Sequence, residues 1–177
     1  MAQSTLKREA ETILKDLDLL KLLCTYGTPR VVGSVALDLM VRSDIDVHVV
    51  TDCPDLLRVA VDICHVLLKK KDVSVVRISD FQLEEGIAVA IEHYPRTSGT
   101  WSIDIWITNN PETTGFNLVD TLEKTITSEQ RDSILRIKEY YFRQGLLRNG
   151  LSRLIYEAVC EKGVKSIAQF EEFLSKN

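Results

Sequence analysis

Asp44 and Asp46 flank a single isoleucine in the tract DIDVHV, where Asp44, Asp46 and His48 interleave with Ile45, Val47 and Val49. Period-two alternation is the pattern of a half-buried strand, so the two carboxylates share one face. Their separation of roughly 6.6 Å along a strand suits a pair of divalent cations set about 4 Å apart. With no positive charge between them, the two groups repel and raise each other's pKa. Just upstream stands Val31-Val32-Gly33-Ser34. A glycine at that point lets backbone approach a phosphate, the serine hydroxyl can donate, and the amides of a short helix expected over Ala36 to Met40 favour an anion. Arg42 and Ser43, immediately before Asp44, are within reach of the same phosphate oxygens. A turn-exposed arginine is the plainer reading of Arg42.

The combination of VGS, the nine-residue spacer Val35 to Ser43 and DIDV resembles the signature of the DNA polymerase beta-like nucleotidyltransferase superfamily, in the form of its small bacterial-type members. The resemblance covers roughly Pro29 to Thr108. It implies that Gly33 and Ser34 bind a nucleotide's triphosphate and that Asp44 and Asp46 hold Mg²⁺. It also implies a third acid from a later strand, and Asp104 in WSIDIWI has the expected setting. There Asp104 would share a cation and help activate an acceptor hydroxyl. The implied reaction moves a nucleoside monophosphate from a nucleoside triphosphate to a hydroxyl and releases pyrophosphate. Many small members carry glycine or arginine shortly after the Gly-Ser pair, where this chain has Leu37 and Asp38.

The elements that must position these residues follow from pattern. Residues 4 to 23 place Leu6, Ala10, Ile13, Leu14, Leu17 and Leu20 at helical spacing, with Ser4 or Thr5 as cap. Asp52 caps a second helix whose stripe is Leu56, Ala60, Ile63, Cys64 and Leu67, with Pro54 in its first turn and Lys69 to Lys71 at its end. Val73 to Ile78 and Ile87 to Ile91 read as a strand pair, and Tyr94 to Thr100 as a loop. In the strand Trp101 to Thr108, Ile103, Ile105 and Ile107 point one way, Ser102, Asp104 and Trp106 the other. Beyond a loop at Asn109 to Phe116 the character turns helical: Leu118 to Ile126, Ser128 to about Arg143, Leu151 to Cys160, and Ile167 to Leu174 with a Ser166/Gln169 capping box. The expected fold is α/β, a nucleotidyltransferase-like mixed sheet flanked by helices in residues 1–115, followed by a helical region in 116–177.

Length and composition narrow the classes. A chain of 177 residues is large enough for a substantial core, and its slight acidic balance, a net charge of −4, argues against long nucleic acid as the main partner and makes transfer to RNA the less favoured reaction. The charged residues Lys7, Arg8, Glu9 and Glu11 interrupt any signal segment, and no apolar run reaches membrane length, so a cytoplasmic protein is expected. Cys24, Cys53, Cys64 and Cys160 lack metal or disulfide spacing. His48 shares the aspartate face but reads first as a structural hydrogen-bonding residue. Lys138 and Arg143 lie where a C-terminal helix could lend a cation to the triphosphate, or form a solvated face. Trp101, Trp106, Tyr140, Tyr141 and Phe142 read first as packing residues. The helical region is similar to the second domain of antibiotic adenylyltransferases, which points to a small-molecule acceptor, with a protein hydroxyl next. A non-catalytic module of the same fold is the alternative of another class. A helix-turn-helix in 151–174 lacks a basic face.

Overall fold

The computed structural model describes residues 2–81, 83, 85–148 and 150–176, with backbone alone for 2–4. Its element order is α1 (Ala2–Asp16), α2 (Leu19–Leu23), β1 (Thr28–Val32), α3 (Gly33–Leu37), β2 (Asp44–Val50), α4 (Leu56–Leu67), β3 (Val75–Phe81), β4 (Gly86–Arg96), β5 (Gly99–Thr108), α5 (Phe116–Thr125), α6 (Ser128–Arg143), α7 (Leu151–Cys160) and α8 (Ile167–Lys176).

The five strands form one mixed sheet in the order β1-β2-β5-β4-β3. Only β2 and β5 run parallel; the other pairs are antiparallel. Strand alternation then sorts side chains onto two faces. One face carries Ile45, Val47, Val49, Ile87, Val89, Ile91, Ile103, Ile105 and Ile107, all packed in one cluster with α1, α2 and α4. The other face carries the acids. Over β1 and β2 it is roofed by a second cluster, in which Val32, Leu37 and Leu39 join the apolar sides of α5 to α8. Burial of these two apolar layers, at about 25 cal/mol per Å², is the main force holding the sheet between them.

Several local expectations shift. The N-terminal helix is broken because Asp18 takes a left-handed φ of 50°. The break turns Leu19 and Leu23 into the core and leaves Leu20, the expected inward residue, 37% exposed. Helix α1 also begins before Ser4 and Thr5. The short helix after Gly33 starts at Gly33 itself, three residues before the expected Ala36. Helix α4 is capped by Asp55, whose carboxylate accepts from the Arg58 amide, instead of Asp52. Thr127, not Ser128, caps α6 and forms a full capping box with Gln130. At α8 the Ser166 hydroxyl accepts from the Gln169 amide, while the Gln169 side chain reaches back to Lys165. The loop expected at Tyr94 to Thr100 is a tight hairpin, since β4 runs to Arg96 and β5 starts at Gly99.

Candidate active site

The acids come together through strand register. Because β2 and β5 are parallel neighbours, Asp46 stands directly opposite Asp104, and Asp44 opposite Ser102. Neighbouring strands lie about 4.8 Å apart, so the three carboxylates share one patch. Burial, then the charges of Asp44 and Asp104, push the Asp46 carboxyl up to about 7. Burial, then Asp44, raises Asp104 as well, and the Ser102 hydroxyl donates to Asp104 at 3.5 Å. Clustered carboxylates that resist ionisation mark a place built for positive charge.

Gly33 faces the same carboxylate. Its φ is +61°, and a Cβ there would lie 2.5 Å from Asp46 Oδ2. Only glycine satisfies both the left-handed backbone and that approach. Ser34 is buried at 7% exposure and its hydroxyl has no protein partner. A buried hydroxyl left unpaired is costly unless a ligand completes it.

Arg42 does not stand free in a turn. Its Nε donates to Asp44 Oδ2 at 2.8 Å, its Nη2 lies 2.7 Å from the same oxygen, and its Nη1 donates to the Leu147 carbonyl at 2.9 Å. Asp44 is thereby held by an internal cation, and the α6–α7 connection is tied to the acid strand. Ser43 is half-buried, and its carbonyl accepts from the Ser102 amide at 3.1 Å, which extends the β2–β5 ladder. Lys138 departs from the solvated-face reading. It is 2% exposed, and its Nζ donates to the Leu39 carbonyl at 2.6 Å and to the Tyr156 hydroxyl at 3.1 Å. Burial lowers its pKa to about 8. Arg143 does fit a solvated face, paired with Glu139 on the surface of α6. Leu37 and Asp38, the positions that differ from many small members, have structural work: Leu37 is 1% exposed in the helical cluster, and Asp38 closes α3 with φ 54°.

His48 is structural, as expected. Its Nδ1 accepts from the Gly115 amide at 3.0 Å, and burial lowers its pKa to about 4, which keeps the imidazole neutral. His93 serves the backbone, at φ 58° in the β4 irregularity. Trp101 is core, at 1% exposure, with its indole nitrogen donating to Glu9.

A cavity of about 580 Å³ opens between the sheet and the C-terminal helices. Gly33, Ser34, Asp44 and Asp46 form one wall; Lys138 and Tyr156 form the opposite one. The volume is that of a small-molecule pocket. Sequence reasoning missed Tyr156, Arg131 and the Leu147 segment. The available signal was Lys138 itself, a lysine set inside the apolar stripe Ile134, Ile137 and Tyr141.

The donor set fits a hard dication such as Mg²⁺, since three carboxylates supply only oxygen. Among the described residues, no three acidic, histidine or cysteine groups are gathered closely enough as they stand to hold a metal ion.

The five-strand mixed sheet flanked by helices is an α/β fold that matches solved nucleotidyltransferase structures. A cytoplasmic RNA terminal U-transferase superposes with a TM-score of 0.64 at 17% identity, over 86% of this chain and 47% of that one. Cid1 poly(U) polymerase bound to MgATP matches at TM-score 0.61 and 17% identity, over 80% of this chain and 44% of its own. The GLD-2/RNP-8 complex gives 0.64 and 15%, over 89% and 51%. The chain thus spans about half the length of these structures, and at such identities the likeness is one of fold. No protein-family model and no curated protein matches the sequence. No helix among the described residues is long and apolar enough to cross a membrane.

Proposed function

We propose that this chain is a nucleotidyltransferase that moves a nucleoside monophosphate from a nucleoside triphosphate to a hydroxyl. The observation that carries the reading is the register that sets Asp104 opposite Asp46, with Gly33 packed against the Asp46 carboxylate. The acceptor oxygen attacks the α-phosphorus, the bond to the β-phosphate bridging oxygen breaks, and pyrophosphate leaves. Asp104 takes the proton of the attacking hydroxyl, a role suited to its raised pKa. Gly33 and Ser34 receive the triphosphate, and the unpaired Ser34 hydroxyl donates to it. Lys138, across the cavity, supplies positive potential from a fixed position. Asp44, Asp46 and Asp104 would hold Mg²⁺, Asp44 being the one of them that Arg42 pairs with. When bound, Mg²⁺ supplies charge neutralisation on the phosphates and a lowered pKa for the acceptor hydroxyl.

For the acceptor, the named activities of the neighbours favour the terminal hydroxyl of an RNA strand. The small-molecule acceptor expected from sequence finds no support among them. The Arg42–Asp44 pairing favours a second reading, a binding module without turnover. One assay separates them: incubate the protein with each Mg-NTP and a panel of RNA, protein and small-molecule acceptors, and follow pyrophosphate. Release that falls by a factor of at least about 10³ in Asp46→Asn and Asp104→Asn supports the enzyme. Nucleotide binding with no release across the panel establishes the module.

A further inference from the structure

Among the described residues, no apolar cluster roofs the acid face of the sheet beyond β1 and β2. Over β1 and β2 the face is roofed by the helical cluster, and the cavity described above lies on that side. Asp104 does not line the cavity. It stands on the far side of Asp46, where the face continues across β5, β4 and β3. Helix α4, which packs on these strands, does so from the opposite, isoleucine-lined face.

This part of the face has a definite relief. Cross-strand register aligns Asp104 with Ala90 and then Arg77, and Trp106 with Ala88 and then Ser79. Gly86, Ala88 and Ala90 keep the β4 floor low. The Trp106 indole is laid down over Gly86, so closely that a Cβ there would meet its Cζ2 at 2.1 Å. It stands against Phe81 at a tilt of 55°, with ring centroids 5.7 Å apart, and Phe81 is 42% exposed. Arg77 is exposed, with its guanidinium oriented by Glu92 at 2.7 Å and Ser79 at 2.7 Å. Its charge is felt at Asp104.

We propose that this face is the acceptor subsite, and that it takes the 3′-terminal nucleotide of a single-stranded nucleic acid, with the base on Trp106 and Phe81 and the adjoining phosphate at Arg77. The proposal rests on the nucleotidyltransferase reading and deepens it. Trp106 lies two residues from Asp104 along β5, about 6.6 Å, and Arg77 lies two strands away, about 10 Å between backbones and less at the guanidinium. One ribose sets its hydroxyl, base and 5′ phosphate apart on that scale. A hydroxyl delivered to Asp104 therefore brings a base over the flat indole and a phosphate toward the arginine. Stacking on an aromatic platform tolerates any base, which suits a strand end better than a compact small molecule.

The test is direct binding, kept separate from turnover. A labelled single-stranded oligoribonucleotide with a free 3′ hydroxyl is titrated by fluorescence anisotropy against wild type, Trp106→Leu, Phe81→Ser and Arg77→Gln, with Mg-NTP affinity measured in parallel by calorimetry. Phe81 and Arg77 are exposed, so their variants keep the fold even if Trp106→Leu does not. The expected result is oligonucleotide binding weakened about tenfold in Trp106→Leu and about threefold to tenfold in the other two, with Mg-NTP affinity unchanged. Absent binding by wild type, binding indifferent to all three substitutions, or turnover confined to small-molecule or protein hydroxyls overturns the proposal. Oligonucleotide binding that the variants weaken, with no pyrophosphate release at all, supports the subsite and sinks the catalytic reading alone.

Discussion

Asp46 concentrates the chemistry of this protein in one side chain. Its pKa of about 7 stands above the ordinary 3.8, so the folded chain keeps a proton that the unfolded chain releases. His48, held at about 4 by burial, works in the opposite sense between about 4 and 6.5, but the Asp46 contribution to stability without added metal is lost as pH climbs from about 4 to about 7. Asp104, also raised, acts in the same sense. Thermal melts across that window are expected to show Asp46→Asn converging with wild type near pH 4 and melting higher at pH 8. Added Mg²⁺ at pH 8 should raise the wild-type midpoint and leave Asp46→Asn nearly unmoved. A difference between the wild-type and Asp46→Asn midpoints that stays constant from pH 4 to 8 would contradict this. The carboxylate pair, the Gly-Ser bend and Asp104 were legible because strand alternation and a positive-φ glycine are local properties. Arg42 was not, since its partner Leu147 lies 105 residues away.

At the scale of elements, the linkage between α3 and β2 is held from outside. Arg131 donates to the Leu37 carbonyl at 2.6 Å and Lys138 to that of Leu39 at 2.6 Å, so two cations seven residues apart on α6 grip the segment that leads into Asp44. These carbonyls belong to the last residue of a five-residue helix and to the residue after its cap, where intrahelical partners run out. Lys138→Met should unpair the buried Leu39 carbonyl and Tyr156 hydroxyl and lower stability by about 1–3 kcal/mol, read from the urea midpoint. Loss of the buried charge offsets part of that, and also removes a cation that holds Asp46 down. Midpoints equal to wild type would mean that the grip contributes nothing. Helix α6 was readable from its periodicity, but the direction of its lysine was not. Likewise, the break at Asp18 leaves no proline or glycine in the sequence as a mark.

At the scale of the molecule, two apolar clusters meet along the sheet, and their boundary does not coincide with residue 115. Val32, Leu37 and Leu39 belong to the helical cluster, and Arg30 pairs with Asp120 across the same junction. A chain ending at residue 115 would expose those side chains and the carbonyls that Arg131 and Lys138 satisfy. It is expected to lack a cooperative melt, whereas two independent domains would give a truncated piece that melts near the full-length temperature.

The alternation of DIDVHV and WSIDIWI, the stripes of α4 to α8 and the glycine turn follow from residue types at spacings of two, three and four. The sequence alone therefore determined the strands, the helices and which residues carry the acids. Which strands are neighbours, that β2 and β5 run parallel in the register that sets Asp46 against Asp104, and that Lys138 turns inward depend on contacts between segments tens of residues apart. No local periodicity encodes those pairings. They were decided when two apolar layers closed on opposite faces of one sheet.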